Sequence, residues 1–247
     1  MKAAITMWRN TRMIMLTALC AAIYGASLAV FKTAIPLIPG ITEVRVANIF
    51  PTVFGLLFGP AGAWGTAFGN LIGDIFGTLG PGSFFGFFGN FLLGFVPYVL
   101  WGRLRPLSSG DEPALRTVQQ WIEYIVIAVL SSAACATLIS WGVDLLGFVP
   151  FKVLSNIITI NDSVGSWIGG ILLLLVFGRV KAMGLLWQDV MEPADIGRPV
   201  NVPVGVVLMI VGGVGGWLLG AFLLPGTLIL PVIALFVLAL VVAAFLL

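Results

Sequence analysis

Histidine is absent from all 247 residues, and only 9% of them are charged. The first absence removes the commonest metal ligand and the usual general base together. The second leaves about a third of the charge of an average soluble chain, which carries ~25%. Cysteine is nearly missing too. Cys20 and Cys135 both fall inside apolar runs, where a thiol behaves as a small hydrophobe, and two do not make a disulfide framework. No G-x-x-x-x-G-K-[ST] segment occurs, so the chain cannot bind ATP in the P-loop manner. A Ser/His intramembrane protease is excluded with the histidine, and an aspartyl type needs a second intramembrane Asp, which the apolar stretches do not locate. There is neither a regular arginine series of the voltage-sensor kind nor a TVGYG filter. The net charge of +2 gives no nucleic-acid footprint. No enzyme, cofactor or metal is expected.

What is present is apolar: 60% of the residues are hydrophobic and the mean hydropathy is +1.14. The lipid bilayer is the expected solvent, and the expected fold is an all-α integral membrane protein, a compact bundle of about eight transmembrane helices. Spans are predicted at 13–31, 46–59, 61–78, 84–101, 118–143, 163–179, 203–223 and 227–247. The first is too long for a signal-peptide core and stays in the mature protein. The stretch 144–162, with Pro150, Lys152, Asn156, Asn161 and Asp162, reads as a long loop or re-entrant element. A cytoplasmic N-terminus puts Lys2, Arg9, Arg12, Arg103, Arg105, Arg116, Arg179, Lys181 and Arg198 inside, and Lys32, Arg45 and Lys152 outside. That bias predicts a cell-membrane protein with both termini cytoplasmic.

Small residues recur at fixed spacing. Ala18, Ala22 and Ala26 line one face of the first span, either to pack inside this bundle or to dock a separate membrane subunit. Span three carries Gly65, Gly69, Gly73 and Gly77, and beside them Thr66, Asn70, Asp74 and Thr78. A carboxylate in a span is costly, so Asp74 should face the bundle or a wet cavity. With Asn48, Asn70 and Asn90 it forms a candidate small-molecule site in the outer half of the bundle; the alternative is mutual hydrogen bonding that only fixes packing. The loops 32–45 and 144–162 bring Glu43, Arg45, Asp144, Lys152, Asn156, Asn161 and Asp162 to the same side. Trp141 and Trp167 could stack on a bound heterocycle or serve as membrane-belt anchors.

The sequence resembles the substrate-binding S components of energy-coupling factor (ECF) transporters. The resemblance rests on the basic N-terminus running into Thr11-Arg12-Met13-Ile14, the alanine-spaced first helix, Phe54-Gly55-Leu56-Leu57-Phe58-Gly59-Pro60-Ala61-Gly62-Ala63, Gly69-Asn70-Leu71-Ile72-Gly73-Asp74 and Gly89-Asn90-Phe91-Leu92. The segment from Gly69 to Asn90 is also similar to queuosine-precursor transporters of that superfamily. The resemblance implies a six-helix substrate-binding core at 1–183, with 184–247 adding a cytoplasmic connection and two further helices. It implies uptake of a small polar heterocycle, a vitamin or modified-nucleobase precursor, under the loop 32–45 as lid. Asn48, Asn70, Asp74, Asn90, Glu43, Arg45 and Trp167 are the expected binding residues. Ala18, Ala22 and Ala26 would dock an ECF scaffold subunit that works with two ATPase subunits. The other readings are a self-sufficient facilitator or secondary transporter using Asp74, and a non-transporting assembly protein.

Overall fold

The computed structural model describes residues 1–31, 36–38, 42–43 and 45–247. A short helix α1 (Lys2–Thr6) leads into α2 (Thr11–Phe31). Asn10 caps that entry, its Oδ1 accepting from the Arg12 and Met13 amides at 3.0 and 3.2 Å. Two short strands, β1 (Pro36–Ile38) and β2 (Thr42–Glu43), pair antiparallel, and a 3₁₀ turn at Val46–Ile49 follows. Then come α3 (Pro51–Phe58), α4 (Pro60–Ile75), α5 (Gly82–Leu100), α6 (Val118–Leu145) and α7 (Phe151–Ala182). After the short helices α8 (Trp187–Val190) and α9 (Pro193–Ile196), one helical run holds α10 (Val202–Ile210) and α11 (Gly216–Leu218), and α12 (Gly226–Leu246) closes the chain.

All eight expected spans are helical. Six runs among the described residues are long and apolar enough to cross a membrane: Thr11–Val30, Gly82–Leu100, Val118–Leu145, Phe151–Val190, Val202–Leu223 and Gly226–Leu246. The protein is a multi-pass membrane protein. The second and third expected spans are shorter helices, joined by a tight reversal at Gly59, whose φ of 55° suits glycine, and Pro60 at the first position of α4.

The stretch 144–162 is a correction. Its first two residues end α6, only 146–150 form a loop, and from Phe151 it forms the first turns of α7. Its polar residues did not break the helix because they point inward. Ser155, Thr159, Asp162, Ser163 and Ser166 are buried on one stripe, while Val153, Ile160, Val164 and Ile168 are exposed on the other side. A span that is polar inside and apolar outside hides its hydropathy signal in the average.

Glycines set the close approaches. A Cβ added at Gly65 would lie 2.3 Å from Cys20 Cβ, at Gly69 2.9 Å from Tyr24 Cβ, and at Gly73 2.8 Å from Leu28 Cβ. The glycine row of α4 therefore receives every fourth side chain of α2, as small residues do where no water drives helices together. Gly77 meets nothing and lies beyond this seam. The consequence for α2 is that Cys20, Tyr24 and Leu28 are buried, and Ala18, Ala22 and Ala26 face outward, exposed. The C-terminal pair packs on α6 and α7: the Thr137 hydroxyl donates to Gly213 O at 2.9 Å, the Trp141 ring N–H to Leu230 O at 3.0 Å, and the Trp217 ring N–H to Asn156 Oδ1 on α7 at 2.9 Å. Gly213 sits in a π-helical stretch, Val211–Gly215, and its carbonyl also accepts from the Gly216 amide.

Candidate functional site

Where α4 ends and α5 begins, the bundle opens into a cavity of about 320 Å³. Its polar wall comes from Arg45, Asn70, Asp74, Thr78 and Ser83, and its apolar wall from Ile139, Val143, Leu154 and Ile158 on α6 and α7. Gly86 leaves the floor open, since a Cβ there would stand 3.0 Å from Asn70 Nδ2. Volume and lining match a small-ligand site, mostly apolar with a few convergent polar groups.

Each polar group is oriented. Asn70 is fixed from both sides, its Oδ1 accepting from Arg45 Nη1 at 3.2 Å and its Nδ2 donating to Asp74 Oδ2 at 3.2 Å. Asp74 Oδ1 also accepts from the Thr78 hydroxyl at 2.9 Å, one helical turn on. The Arg45 amide donates to Asn161 Oδ1 at 3.2 Å, so the chain end entering α3 is tied to α7. A carboxylate, an amide and a guanidinium thus stand in series along one wall, with an acceptor, a group of both kinds and a donor in turn.

Below the cavity lies a second, fully buried layer. The Tyr24 hydroxyl is 2.8 Å from Asn48 Oδ1 and 2.9 Å from Asn90 Oδ1, which joins α2, the 46–49 turn and α5. Asn48 Nδ2 donates to Asp162 Oδ1 on α7, and Asn90 Nδ2 donates to Gly86 O at 2.9 Å. The Thr52 hydroxyl pairs with Ser166 Oγ at 3.0 Å. Gly165 admits this arrangement, because a Cβ there would lie 2.8 Å from Asn48 Cβ. The hydroxyls of Ser155, Thr159 and Ser163 are buried with no hydrogen-bond partner among the described residues.

The structure therefore brings together Asn48, Asn70, Asp74, Asn90 and Arg45, but in two layers: Arg45, Asn70 and Asp74 line the cavity, and Asn48 and Asn90 stand beneath it. The side chain of Glu43 lies outside the described residues. Trp167 is not part of the group. It is on the outer face of α7, 41% exposed, with its ring N–H toward Ile125 O at 3.4 Å. Trp141 likewise packs on Phe85 and on Leu230 of α12, away from the cavity. Tyr24 was not singled out in the sequence, because a tyrosine within an apolar run carries no periodic signal. Asp162 was legible as a candidate but not as a buried one.

A family profile described as QueT transporter matches residues 14–179, about two thirds of the chain. The chain belongs to the QueT transporter family. The match begins within α2 and ends within α7, so it takes in both polar layers and leaves out the pair formed by α10 to α12. No curated protein and no solved structure matches the chain. As a QueT transporter family member the protein moves a small molecule across a membrane, and the layered polar site lies wholly inside the part that defines the family.

Proposed function

We propose that this protein captures a modified nucleobase of the queuosine-precursor class at the outer face of the cell membrane and passes it inward as an S component, with an ECF scaffold subunit and two ATPase subunits. The carrying observation is the cavity lined by Arg45, Asn70 and Asp74. A purine-like base presents ring and exocyclic N–H donors beside a carbonyl acceptor, and that edge pairs with a carboxylate, an amide and a guanidinium in series. The apolar wall from α6 and α7 suits the base's faces.

Residues 1–183 form the capture core in this reading, and 184–247 add a connection and a helix pair. Both termini are cytoplasmic, which places the cavity outside, in line with the excess of Lys and Arg at the opposite ends of the spans. Ala18, Ala22 and Ala26 dock the scaffold. Their exposure supports this: the face that packs inside the bundle is the one carrying Cys20, Tyr24 and Leu28.

Native mass spectrometry of the protein in mild detergent tests the reading. A queuosine-precursor base should bind one to one, and Asn70→Ala or Asp74→Ala should remove it while helicity by circular dichroism is unchanged. Ala22→Trp should leave the base bound but abolish co-purification of scaffold and ATPase subunits. A protein that stays empty with such bases would refute the substrate assignment.

A further inference from the structure

Between the six-helix core and α12 runs a second cleft, of about 360 Å³. It extends from Phe84, Phe85 and Trp141 at one end to Met1 and Ala244 at the other, and Phe84 to Leu92 alone rise about 12 Å along α5. Its surface is hydrocarbon almost throughout. Even Trp64 turns its polar atom away, the ring N–H donating to Ala4 O at 2.8 Å, so that its carbon face is what the cleft meets. At ~30 Å³ per group of water or methylene size, the space takes roughly a dozen such groups in a row.

Where α5 and α12 end, the cleft meets a small cavity of different character, about 130 Å³, with Lys2, Arg103 and Arg198 in its lining. Met1 lines both spaces, and the consecutive residues Ala244 and Phe245 line one each. Arg103 Nη1 is buried with no hydrogen-bond partner among the described residues. Lys181 pairs with Glu112, away from these cations. Burial lowers the Arg103 pKa from its ordinary value, as expected of a guanidinium taken out of water with no anion beside it, and the neighbouring Tyr98 hydroxyl only partly offsets this. Lys2 is held at the rim by donating to Ala194 O at 2.9 Å, and Gly197 comes close enough that a Cβ would lie 2.7 Å from the Lys2 Cδ.

An apolar slot of hydrocarbon length, ending in a cationic cavity at the level where two spanning helices stop, has the shape and charge order of a lipid. We propose that this seam between core and C-terminal helix pair holds one anionic phospholipid, its acyl chain along the α5 phenylalanines and its phosphate against Arg103. Basic pockets between spanning helices at the membrane surface recognise headgroups by this chemistry. The lipid then completes an interface that protein atoms alone leave open. The proposal does not depend on the transported substrate.

The test is native mass spectrometry of the full chain extracted in mild detergent, with solvent extraction to identify retained lipid, followed by exchange against phosphatidylglycerol or phosphatidylcholine. One phospholipid per chain should be retained, with phosphatidylglycerol held at least tenfold more firmly than phosphatidylcholine. Arg103→Gln combined with Arg198→Gln should lower retention about tenfold and erase the preference. Val241→Trp, which fills the cleft from a position already 45% exposed, should displace the lipid without touching the cations. Equal retention of both lipids, or retention unchanged in either variant, would show adventitious lipid only and overturn the proposal. If the arginine variant fails to fold, the tryptophan variant decides alone.

Discussion

Tyr24 is the residue on which the polar interior turns, because one hydroxyl lies within hydrogen-bond reach of two buried amides from two other elements. Tyr24→Phe keeps the ring against Gly69 and removes only that link. Interhelical hydrogen bonds in membranes average ~0.6 kcal/mol and reach ~1.7, so the variant should lose about that much stability in a denaturant titration while remaining folded. Gly86→Val belongs to the other layer. A branched side chain there enters the space beside Asn70 and Asp74, and should weaken ligand binding at least tenfold by calorimetry, with little change in thermal stability. The opposite pattern, lost stability with binding intact, would show that the cavity is packing space. At this scale the sequence was informative about Asn48, Asn70, Asp74 and Asn90, since an amide or acid in a span must find a polar partner. It was silent about Tyr24, and misleading about Trp167, since an aromatic ring fits a belt, a core or a ligand equally well.

At the scale of elements, the seam between α2 and α4 is the clearest case of spacing turned into contact. Gly65→Ala would force a Cβ to within 2.3 Å of Cys20 Cβ. Overpacking of that kind costs ~1–3 kcal/mol, and a lowered unfolding midpoint should show it. Ala22→Leu on the opposite face should leave the midpoint where it was. The alanine spacing was legible in the sequence, but whether that face packed or stayed open was not, because a period of four is the same for both. The glycines on α4 resolved it by taking the other side of α2. The start of α7 was hidden for a related reason: Asn156, Asn161 and Asp162 look like a loop when counted, yet Asp162 lies on the buried stripe of α7, and the two half-buried asparagines accept from the Trp217 ring N–H and the Arg45 amide.

For the molecule as a whole, the orientation has a direct check. Both native cysteines are buried, so an introduced thiol can be read against a low background. Ser109→Cys, between α5 and α6, should resist a membrane-impermeant maleimide in intact cells and react after lysis, whereas Leu146→Cys, between α6 and α7, should react in intact cells. Reversed labelling would put the cavity on the cytoplasmic side. The all-helical membrane class and the eight helical runs were visible in hydropathy alone, while the way the last pair leans on α6 was not, as Pro203 to Leu247 carries no polar pattern of its own. The seam of α2 has one more result. Because Cys20, Tyr24 and Leu28 are seated in the glycines of α4 with no slack, α2 cannot move toward its neighbour by even a methyl group. A load placed on its alanine side must therefore travel as movement of the paired helices together, and it arrives at Asn48 and Asn90 through the Tyr24 hydroxyl. The strut that any partner would push is the same one that holds the floor of the cavity.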